Sequence, residues 1–193
     1  MRIIAGALKG HQLVTPRGHR TRPTADQVRI ALMDTLMPQL PGARFLDLFA
    51  GAGGVGLEAL SRGAARAVLV ERDADAAKAL RRNVAALRVA DQTLVLAMDA
   101  ARAINRLAAS GERFDLVFLD PPYGAGLAED TLLRLGAGSL TTLDAIVVAQ
   151  HFTKHAPPER IGTLAAYRAR RFGETTLTFF RAGAYDAEIL DSV

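Results

Sequence analysis

From residue 44 onwards, short apolar strands alternate with helical stretches rich in alanine and leucine, and this alternation limits the possible folds more than any other feature. Apolar runs and helical periodicity predict strands at 45–48, 67–70, 93–97, 114–119 and 145–148, and helices at 55–62, 74–87, 101–109 and 128–135. Strands that alternate with helices form a parallel sheet covered on both faces. The fold class predicted for residues 43–193 is therefore α/β, doubly wound and mostly parallel.

The last part of the chain departs from this alternation. Residues 164–171 and 175–181 flank a turn at Phe172-Gly173-Glu174, and they predict an antiparallel strand pair. This pair closes one edge of the sheet and brings the predicted number of strands to seven.

Residues 1–42 form a small extension to that domain. The segments 2–8 and 12–15 predict a short hairpin, which is followed by an irregular basic loop. Thr24 and Gln27 have the spacing of a capping box, so a helix is expected to begin after Thr24. A length of 193 residues agrees with one well-buried domain and a small appendage.

The surplus of positive charge lies in this extension. Residues 1–42 contain six Lys or Arg and two acidic residues, and the remainder contains 18 of each, out of totals of 24 and 20. We expect the extension to provide an arm that contacts phosphates, and the alternative is a solubilising segment. The basic residues of this arm are Arg2, Lys9, Arg17, Arg20, Arg22 and Arg29.

The composition excludes several classes of protein. Because the chain contains no cysteine, disulfides, thiolate zinc sites and a covalent cysteine nucleophile are excluded. His151 and His155 have helical spacing, but two prolines follow and no acidic ligand lies between them, so no metal site is expected. No apolar run approaches the roughly 20 residues that span a bilayer, and residues 1–10 lack a signal-peptide pattern, so the expected compartment is the cytoplasm.

A glycine-rich loop follows the first predicted strand. Gly51, Gly53 and Gly56 fit the G-x-G-x-x-G pattern between a strand and a helix, where backbone N–H groups approach a ligand. Glu71 ends the second strand, from which its carboxylate is placed to accept both ribose hydroxyls. These features predict a nucleotide-like cofactor, and a nicotinamide enzyme would share them.

The acidic residue before this loop favours a cationic cofactor. Asp47 and Phe49 lie at the strand end, where a carboxylate repels a pyrophosphate and attracts a sulfonium or ammonium group. S-adenosylmethionine therefore fits better than NAD. At the next strand ends, Arg72 is placed along the adenine face, and Asp99, followed by Ala100, is placed to accept the adenine amino group. Taken singly, Asp99 also fits a helix cap.

Asp120-Pro121-Pro122-Tyr123 places an acid, two rigid prolines and an aromatic ring directly after the strand 114–119. Asp120 and the carbonyl of Pro121 are expected to accept the two N–H bonds of a planar amine, while Tyr123 stacks on its ring. Such a site holds a poor amine nucleophile in line with an activated methyl group. The alternative is a proline-ended strand followed by a surface turn.

Together these motifs resemble a class I S-adenosylmethionine-dependent methyltransferase of the amine-methylating type. The residues that carry the resemblance are Phe45-Leu46-Asp47-Leu48-Phe49-Ala50-Gly51-Ala52-Gly53, Glu71, Asp99 and Asp120-Pro121-Pro122-Tyr123. A second set, in the extension, resembles the bacterial RsmD family, and the resemblance covers nearly the whole chain. That set is Arg2-Ile3-Ile4-Ala5-Gly6, Lys9-Gly10, Arg22-Pro23-Thr24, Asp26 and Arg29.

The resemblance implies methylation of the N2 amine of one guanine in small-subunit (16S) ribosomal RNA. The implied partner is this RNA, either naked or in an assembling small subunit, and the expected oligomeric state is a monomer. The resemblance also implies that Arg22 and Thr24 border the methionine end of the cofactor and the RNA entrance. The sequence departs from the family pattern at Gln27, Ile30, Met33, Asp34 and Gln150.

The implied chemistry is a direct in-line transfer with no covalent intermediate and no metal. Asp120 orients the amine and receives its proton late. Other acceptors stay open, namely an adenine amine in DNA or RNA and a protein glutamine. Two further classes compete: a nicotinamide-dependent oxidoreductase built on the same glycine loop, and a catalytically silent RNA-binding module.

Overall fold

An eight-stranded sheet with helices on both faces forms the centre of the protein. The computed structural model describes residues 1–16, 23–122, 126–138 and 140–183, and only the backbone of residues 23–25. Some of the predicted site residues lie outside the described residues: Arg17, Arg20, Arg22, Tyr123 and the side chain of Thr24.

The helices and strands follow the predicted alternation. The strands are β1 Arg44–Asp47, β2 Arg66–Val70, β3 Thr93–Leu96, β4 Phe114–Leu119, β5 Thr141–Phe152, β6 Arg160–Ile161, β7 Leu164–Phe172 and β8 Thr175–Ala182. The helices are α1 Pro23–Leu36, α2 Gly54–Ser61, α3 Ala74–Ala86, α4 Ala100–Ala109 and α5 Leu127–Gly136, with short 3-10 turns at Met37–Gln39 and Ala90–Gln92. From β1 to α5, every predicted bound lies within one residue of the observed one, so periodicity was sufficient to locate these elements.

The strand order is β3-β2-β1-β4-β5-β8-β7-β6. Strands β1 to β5 are mutually parallel, and β8, β7 and β6 follow as antiparallel neighbours. The predicted α/β fold class is thereby confirmed. The sheet has eight strands rather than seven because β6 adds a two-residue edge strand, which is too short to produce a pattern in the sequence.

Strand β5 is longer than predicted because it pairs with β4 on one side and with β8 on the other. Its register with β4 shifts between the pairs Phe114–Thr141 and Leu116–Ile146. Asp144 lies in the intervening segment with a φ of +63°, a conformation that interrupts a regular alternation. The four residues before the predicted start of β5 therefore gave no strand pattern.

Two hydrophobic clusters lie on opposite faces of the sheet, because successive strand residues point to opposite sides. Phe45 and Leu46 are adjacent in β1 and belong to different clusters. Helices α1, α2 and α3 supply Leu32, Leu57 and Leu80 to the cluster of Phe45, whereas α4 and α5 complete the other cluster.

The division of the chain at residue 42 stays a prediction. Among the described residues, no helix has the length and apolar character needed to cross a membrane.

The predicted N-terminal hairpin is shorter than expected and lies against helix α2. Within the described part of this segment, a single antiparallel bridge joins Arg2 to Gln12. The fully buried carboxylate of Glu58 accepts hydrogen bonds from the backbone N–H groups of Ile4, at 2.7 Å, and Ala5, at 2.9 Å. These amides are therefore bound to a side chain of α2 instead of a partner strand.

Two predictions for α1 also require correction. The helix begins at Pro23, so Thr24 lies inside the first turn and not at the N-cap. Proline suits this first position because its missing N–H would have had no helical partner. Arg29 does not belong to a phosphate-binding arm, since it is 5% exposed and donates hydrogen bonds to the Arg2 carbonyl at 2.9 Å and the Asp26 carboxylate at 3.0 Å.

Candidate active site

The glycine loop joins the carboxyl end of β1 to helix α2. Gly53, the N-cap residue, has a φ of +91°, and a Cβ on it would lie 2.5 Å from Cδ1 of Leu80. Gly51 also has a positive φ, of +53°, but a Cβ there would meet nothing within 4 Å. The loop is therefore tightly packed beneath the start of α2 and open at Gly51, where a ligand can approach the backbone.

Glu71 connects this loop to the carboxyl end of β2. One carboxylate oxygen accepts a hydrogen bond from the N–H of Gly51 at 2.8 Å, and the other accepts from the N–H of Asp73 at 2.7 Å. Each carboxylate oxygen has a second lone pair. Glu71 can therefore hold the loop in position and still accept hydrogen bonds from a ligand.

Asp47 is the last residue of β1 and is 1% exposed. Its Oδ1 accepts a hydrogen bond from the backbone N–H of Phe49 at 3.3 Å. The pKa of Asp47 is raised to about 7, first by burial and then by the charges of Asp120 and Glu71, against the backbone hydrogen bonds of Phe49 and Gly56. Near neutral pH this carboxyl is therefore poised between its two protonation states.

Asp120 directly follows β4, which pairs with β1 in parallel register so that Asp47 lies opposite Phe118. The two acidic side chains consequently emerge at the same edge of the sheet. Burial raises the pKa of Asp120 to about 7 as well. Pro121 is buried and Pro122 is exposed, while Tyr123 lies outside the described residues.

The three carboxylates of this edge are not paired with any cation that the structure describes. Among the described residues, no Lys, Arg or His forms a salt bridge with Asp47, Glu71 or Asp120. Partly buried carboxylates without cations are costly to ionise, and they attract a positively charged ligand. The site therefore suits a cationic ligand better than a pyrophosphate.

A cavity of about 350 Å³ lies above these strand ends. It brings together six of the residues predicted for the cofactor and catalytic sites, which are Phe49, Glu71, Arg72, Ala100, Asp120 and Pro122. Its size is within the range of small-molecule sites. Parallel strands explain this convergence, since their carboxyl ends meet at one edge of the sheet.

Asp99 caps a helix, which is the alternative role that its position in the sequence allowed. It is the N-cap of α4, and its Oδ1 accepts a hydrogen bond from the backbone N–H of Arg102 at 2.9 Å. Its neighbours Met98 and Ala100 line the cavity. A contact between Asp99 and an adenine amino group stays a prediction. The cap bond uses Oδ1, so the other carboxylate oxygen is available to make this contact.

A second cavity, of about 340 Å³, lies on the other side of the proline turn. Pro122 borders both cavities, and Pro121 and Gln150 line the second one. His151 also lines it, but its two ring nitrogens are bonded to the Phe152 carbonyl at 2.7 Å and the Thr178 hydroxyl at 2.8 Å. Within the described part of the chain, no group of three or more His, Asp or Glu side chains is placed to hold a metal ion.

The expected phosphate contacts are only partly described. Arg2 and Lys9 are exposed on the N-terminal segment that α2 binds. The remaining predicted contacts, Arg17, Arg20 and Arg22, lie outside the described residues. RNA binding by this arm therefore stays a prediction.

Asn83 is a positioning residue that the sequence patterns did not indicate. It is 2% exposed on α3, and its Nδ2 donates hydrogen bonds to the carbonyls of Val14 and Ala52, both at 2.9 Å. Its Oδ1 accepts from the N–H of Val14 at 2.8 Å. One amide side chain thus joins the glycine loop to the segment that leads into the basic arm. Its partners lie 69 and 31 residues away, so no local pattern could identify it.

Replacing Asn83 by Ala is expected to lower the free energy of unfolding by about 1–3 kcal/mol, because buried backbone groups at Val14 and Ala52 lose their partner. Urea unfolding measures this loss, and hydrogen exchange measures the release of the Val14 amide. Asn105→Ala, at an exposed position of α4, is the matched control. Equal stability and unchanged exchange in the two variants would show that Asn83 does not position the loop.

Residues 1–181 match the family described as Conserved hypothetical protein 95. The Ribosomal RNA small subunit methyltransferase D of Escherichia coli K12 is 33% identical over 184 residues, which cover 95% of this chain and 91% of that protein. The protein of the same name from Haemophilus influenzae is 32% identical over 150 residues, or 78% of each chain.

Two solved structures have folds similar to that of this chain. A hypothetical protein of Thermus thermophilus is 36% identical, with a TM-score of 0.80 over 93% of this chain and 98% of that one. The 16S rRNA N2 methyltransferase RsmC of the same species, solved with AdoMet and guanosine, has a TM-score of 0.67 over 86% of this chain and 44% of that chain. Its identity of 20% shows a shared fold alone. The family match over residues 1–181 and the relatives above 30% identity show that this chain belongs to the RsmD family of ribosomal RNA methyltransferases.

Proposed function

We propose that this chain transfers a methyl group from S-adenosylmethionine to the exocyclic N2 amine of a guanine in small-subunit (16S) ribosomal RNA. The observation that carries the proposal is the set of three carboxylates beside the open glycine loop, Asp47, Glu71 and Asp120, for which no described residue is a cationic partner. The relatives named Ribosomal RNA small subunit methyltransferase D support the substrate class.

The described residues fit S-adenosylmethionine as the cofactor. Asp47 offers a buried carboxyl to a cationic group, Glu71 has free lone pairs for the ribose hydroxyls, and the backbone at Gly51 is open. Arg72 and Ala100 border the cavity that Glu71 lines, where the adenine is expected. When bound, S-adenosylmethionine supplies a methyl group activated by a positively charged sulfur. A dinucleotide would instead bring its pyrophosphate towards Asp47.

Asp120 and the Pro121 carbonyl are proposed to accept the two N–H bonds of the guanine amine. This arrangement directs the nitrogen lone pair towards the cofactor cavity and reduces its delocalisation into the ring. Once the nitrogen has bonded to the methyl carbon it becomes acidic, and Asp120 receives its proton. A pKa of about 7 suits Asp120 to this role, because a base whose pKa is near the working pH transfers protons efficiently.

The guanine must leave any base pair to reach this site, because pairing buries its amine. The second cavity, across Pro122 from the cofactor cavity, offers space for a base that has been turned out. Tyr123 is proposed to stack on that base. Exposed Arg2 and Lys9 would add contacts to the RNA backbone that do not depend on sequence. An enzyme that acts on ribosomal RNA is expected in the cytoplasm.

Methyl transfer from radiolabelled S-adenosylmethionine to purified small-subunit ribosomal RNA tests the proposal. We expect label in the RNA and, after digestion, N2-methylguanosine as the product. Naked RNA and partly assembled small subunits should be compared as substrates. Label in an adenine or in a protein glutamine would replace the proposed acceptor. Binding of NADH without binding of S-adenosylmethionine in calorimetry would overturn the proposal.

The pKa of Asp47 predicts opposite pH effects on stability and on cofactor binding. Because its folded-state pKa of about 7 exceeds the ordinary 3.8, the free protein loses stability as pH rises between these values. Asp47→Asn removes this loss, so the variant is expected to unfold at higher urea than wild type above pH 7. A cationic ligand favours the carboxylate, so wild-type affinity for S-adenosylmethionine should increase as pH rises through about 7.

Calorimetry of wild type and Asp47→Asn at each pH measures this effect. The direct comparison is needed because Asp120 titrates in the same range. The difference in affinity between the two proteins should widen as pH rises. Equal affinity above pH 7 would show that Asp47 does not contact a cationic part of the cofactor.

A further inference from the structure

Strand β7 exposes its middle residues, although most strands of this sheet are buried. Tyr167 is 46% exposed, and Arg168, Ala169 and Arg171 are also exposed. The outer edge of β7 pairs with β6 at Leu164 and Ala165, and the N–H of Ala166 donates to the Glu159 carbonyl at 2.7 Å. Beyond residue 166, no described strand pairs with this edge. The end of the sheet therefore presents an accessible surface.

This surface is rich in arginine. Arg168 and Arg170 pair with Phe179 and Leu177 of β8, whose side chains belong to the cluster beneath α1, so both arginines lie on the α1 face of the sheet. Arg181, two residues after Phe179, lies on the same face. Among the described residues, the acidic neighbours are Asp144, whose carboxylate is 3.8 Å from Arg181 in an exposed pair, Glu174 in the turn, and Glu159 before β6. Such an exposed pair contributes little to stability.

Arg170 has a structural role that distinguishes it from the others. Its Nη1 donates hydrogen bonds to the Ala31 carbonyl at 3.3 Å and the Thr35 hydroxyl at 3.2 Å, so it fastens α1 to β7. Its guanidinium also lies over the ring of Phe172, 5.7 Å from the centroid. Arg171, the next residue, lies on the opposite face of the sheet, and its Nε donates a hydrogen bond to the Gly173 carbonyl at 2.9 Å. The arginines of this face that are available to a ligand are therefore Arg168 and Arg181.

Tyr167 adds an aromatic ring to this group of cations. The guanidinium of Arg181 lies 5.3 Å from the ring centroid, and Phe179 supports the ring from 6.3 Å. The charge of Arg168 also acts on the Tyr167 hydroxyl, since it opposes the rise in the Tyr167 pKa that burial causes. An exposed ring among guanidinium groups is typical of surfaces that bind single-stranded nucleic acid.

The strand direction connects this surface to the active site. Strands β5 and β7 are both antiparallel to β8, so the carboxyl end of β7 lies at the same sheet edge as the carboxyl end of β5. The N–H of Thr153, directly after β5, donates to the Glu174 carbonyl at 2.8 Å. An extended RNA strand lying along β7 would therefore lead towards the end of the strands at which Asp120 lies.

We propose that Tyr167, Arg168 and Arg181 form a second contact surface for the ribose–phosphate backbone of the RNA substrate, at the opposite end of the sheet from β3. This inference rests on the proposed function, which supplies RNA as the partner. Arginine on an unpaired edge strand also prevents edge-to-edge association, but a charge of either sign does so. Charge reversal therefore separates the two roles.

The test uses the full chain with Arg168→Glu and Arg181→Glu, singly and together. Arg106→Glu, at an exposed position of α4 on the opposite face, is the control for the single variants. The affinity for small-subunit ribosomal RNA is measured by filter binding over a series of KCl concentrations. We expect each reversal to weaken binding on the order of tenfold and to lower the salt slope by about 0.7–0.9. Calorimetric affinity for S-adenosylmethionine should not change.

Three results would overturn this inference. The first is unchanged RNA affinity and salt slope in the double variant, which would assign the arginines to edge protection. The second is an equal loss in Arg106→Glu, which would indicate a general effect of net charge. The third is a change in sedimentation without loss of RNA affinity, which would assign the surface to contact with a second copy of the chain. Failure of wild type to methylate RNA would instead overturn the proposed function, and the binding measurement stays interpretable in that case.

Discussion

Asp120→Ala is expected to reduce the rate of methyl transfer to RNA by about 10²–10⁴-fold, because it removes the group that orients the amine and receives its proton. Affinity for S-adenosylmethionine should be nearly unchanged. The charge of Asp120 raises the pKa of Asp47, so its removal makes the Asp47 carboxylate easier to form and does not weaken the attraction for a cation. Single-turnover transfer with excess enzyme, together with calorimetry, measures both quantities.

Two variants sharpen this test. Asp120→Asn retains a carbonyl oxygen as an acceptor but has no basic oxygen, so it separates orientation of the amine from proton transfer. Asp91→Asn, in the 3-10 turn before β3, lies at the opposite edge of the sheet and should retain wild-type rates. Wild-type rates in Asp120→Ala would exclude Asp120 from the reaction and with it the proposed mechanism.

Glu58→Ala is expected to lower the free energy of unfolding by about 3–5 kcal/mol, because its partners lose a fully buried charge. The carboxylate accepts hydrogen bonds from the amides of Ile4 and Ala5 and forms a salt bridge with Arg62 at 2.9 Å. Urea unfolding measures the loss. Hydrogen exchange at the Ile4 and Ala5 amides should increase, since the N-terminal segment would be released from α2.

The matched controls are Glu58→Gln and Glu159→Ala. Glutamine keeps one oxygen as an acceptor, so it should lose less stability than alanine. Glu159 is exposed, and its replacement should change the free energy of unfolding by less than about 0.5 kcal/mol. A similar small change in Glu58→Ala would show that the N-terminal segment is held by its apolar contacts, such as Ile3 and Leu13, instead of by this carboxylate.

Most of the sheet could be predicted because the signals are local. Strands buried on both faces appear as continuous apolar runs, and the helices between them have a 3.6-residue period, so the elements from β1 to α5 were located within one residue. The short strand β6 and the extended start of β5 had no such signal, because they depend on pairing with neighbouring strands. The N-terminal hairpin is shorter than predicted, because a side chain of α2 binds two of its amides.

The candidate site shows the same division. Glu71 and Asp120 could be placed together from the sequence, because parallel strands bring their carboxyl ends to one edge and each residue follows a recognisable strand. Asn83 and Glu58 could not, because they act on backbone groups of segments that are remote in the chain. Asp99 allowed two roles, and the hydrogen bond to Arg102 shows that capping is one it performs.

The sequence by itself determined the α/β class, the glycine loop and the acidic strand ends, since each depends on residues within one strand and the turn after it. It also determined where the net positive charge lies along the chain, but not where it lies on the surface. Only the tertiary structure decided that Arg29 is buried, and that Arg168 and Arg181 stand on one face beside Tyr167. The physical reason is that burial and strand pairing join residues far apart in the chain, and side-chain charge acts through distance in space.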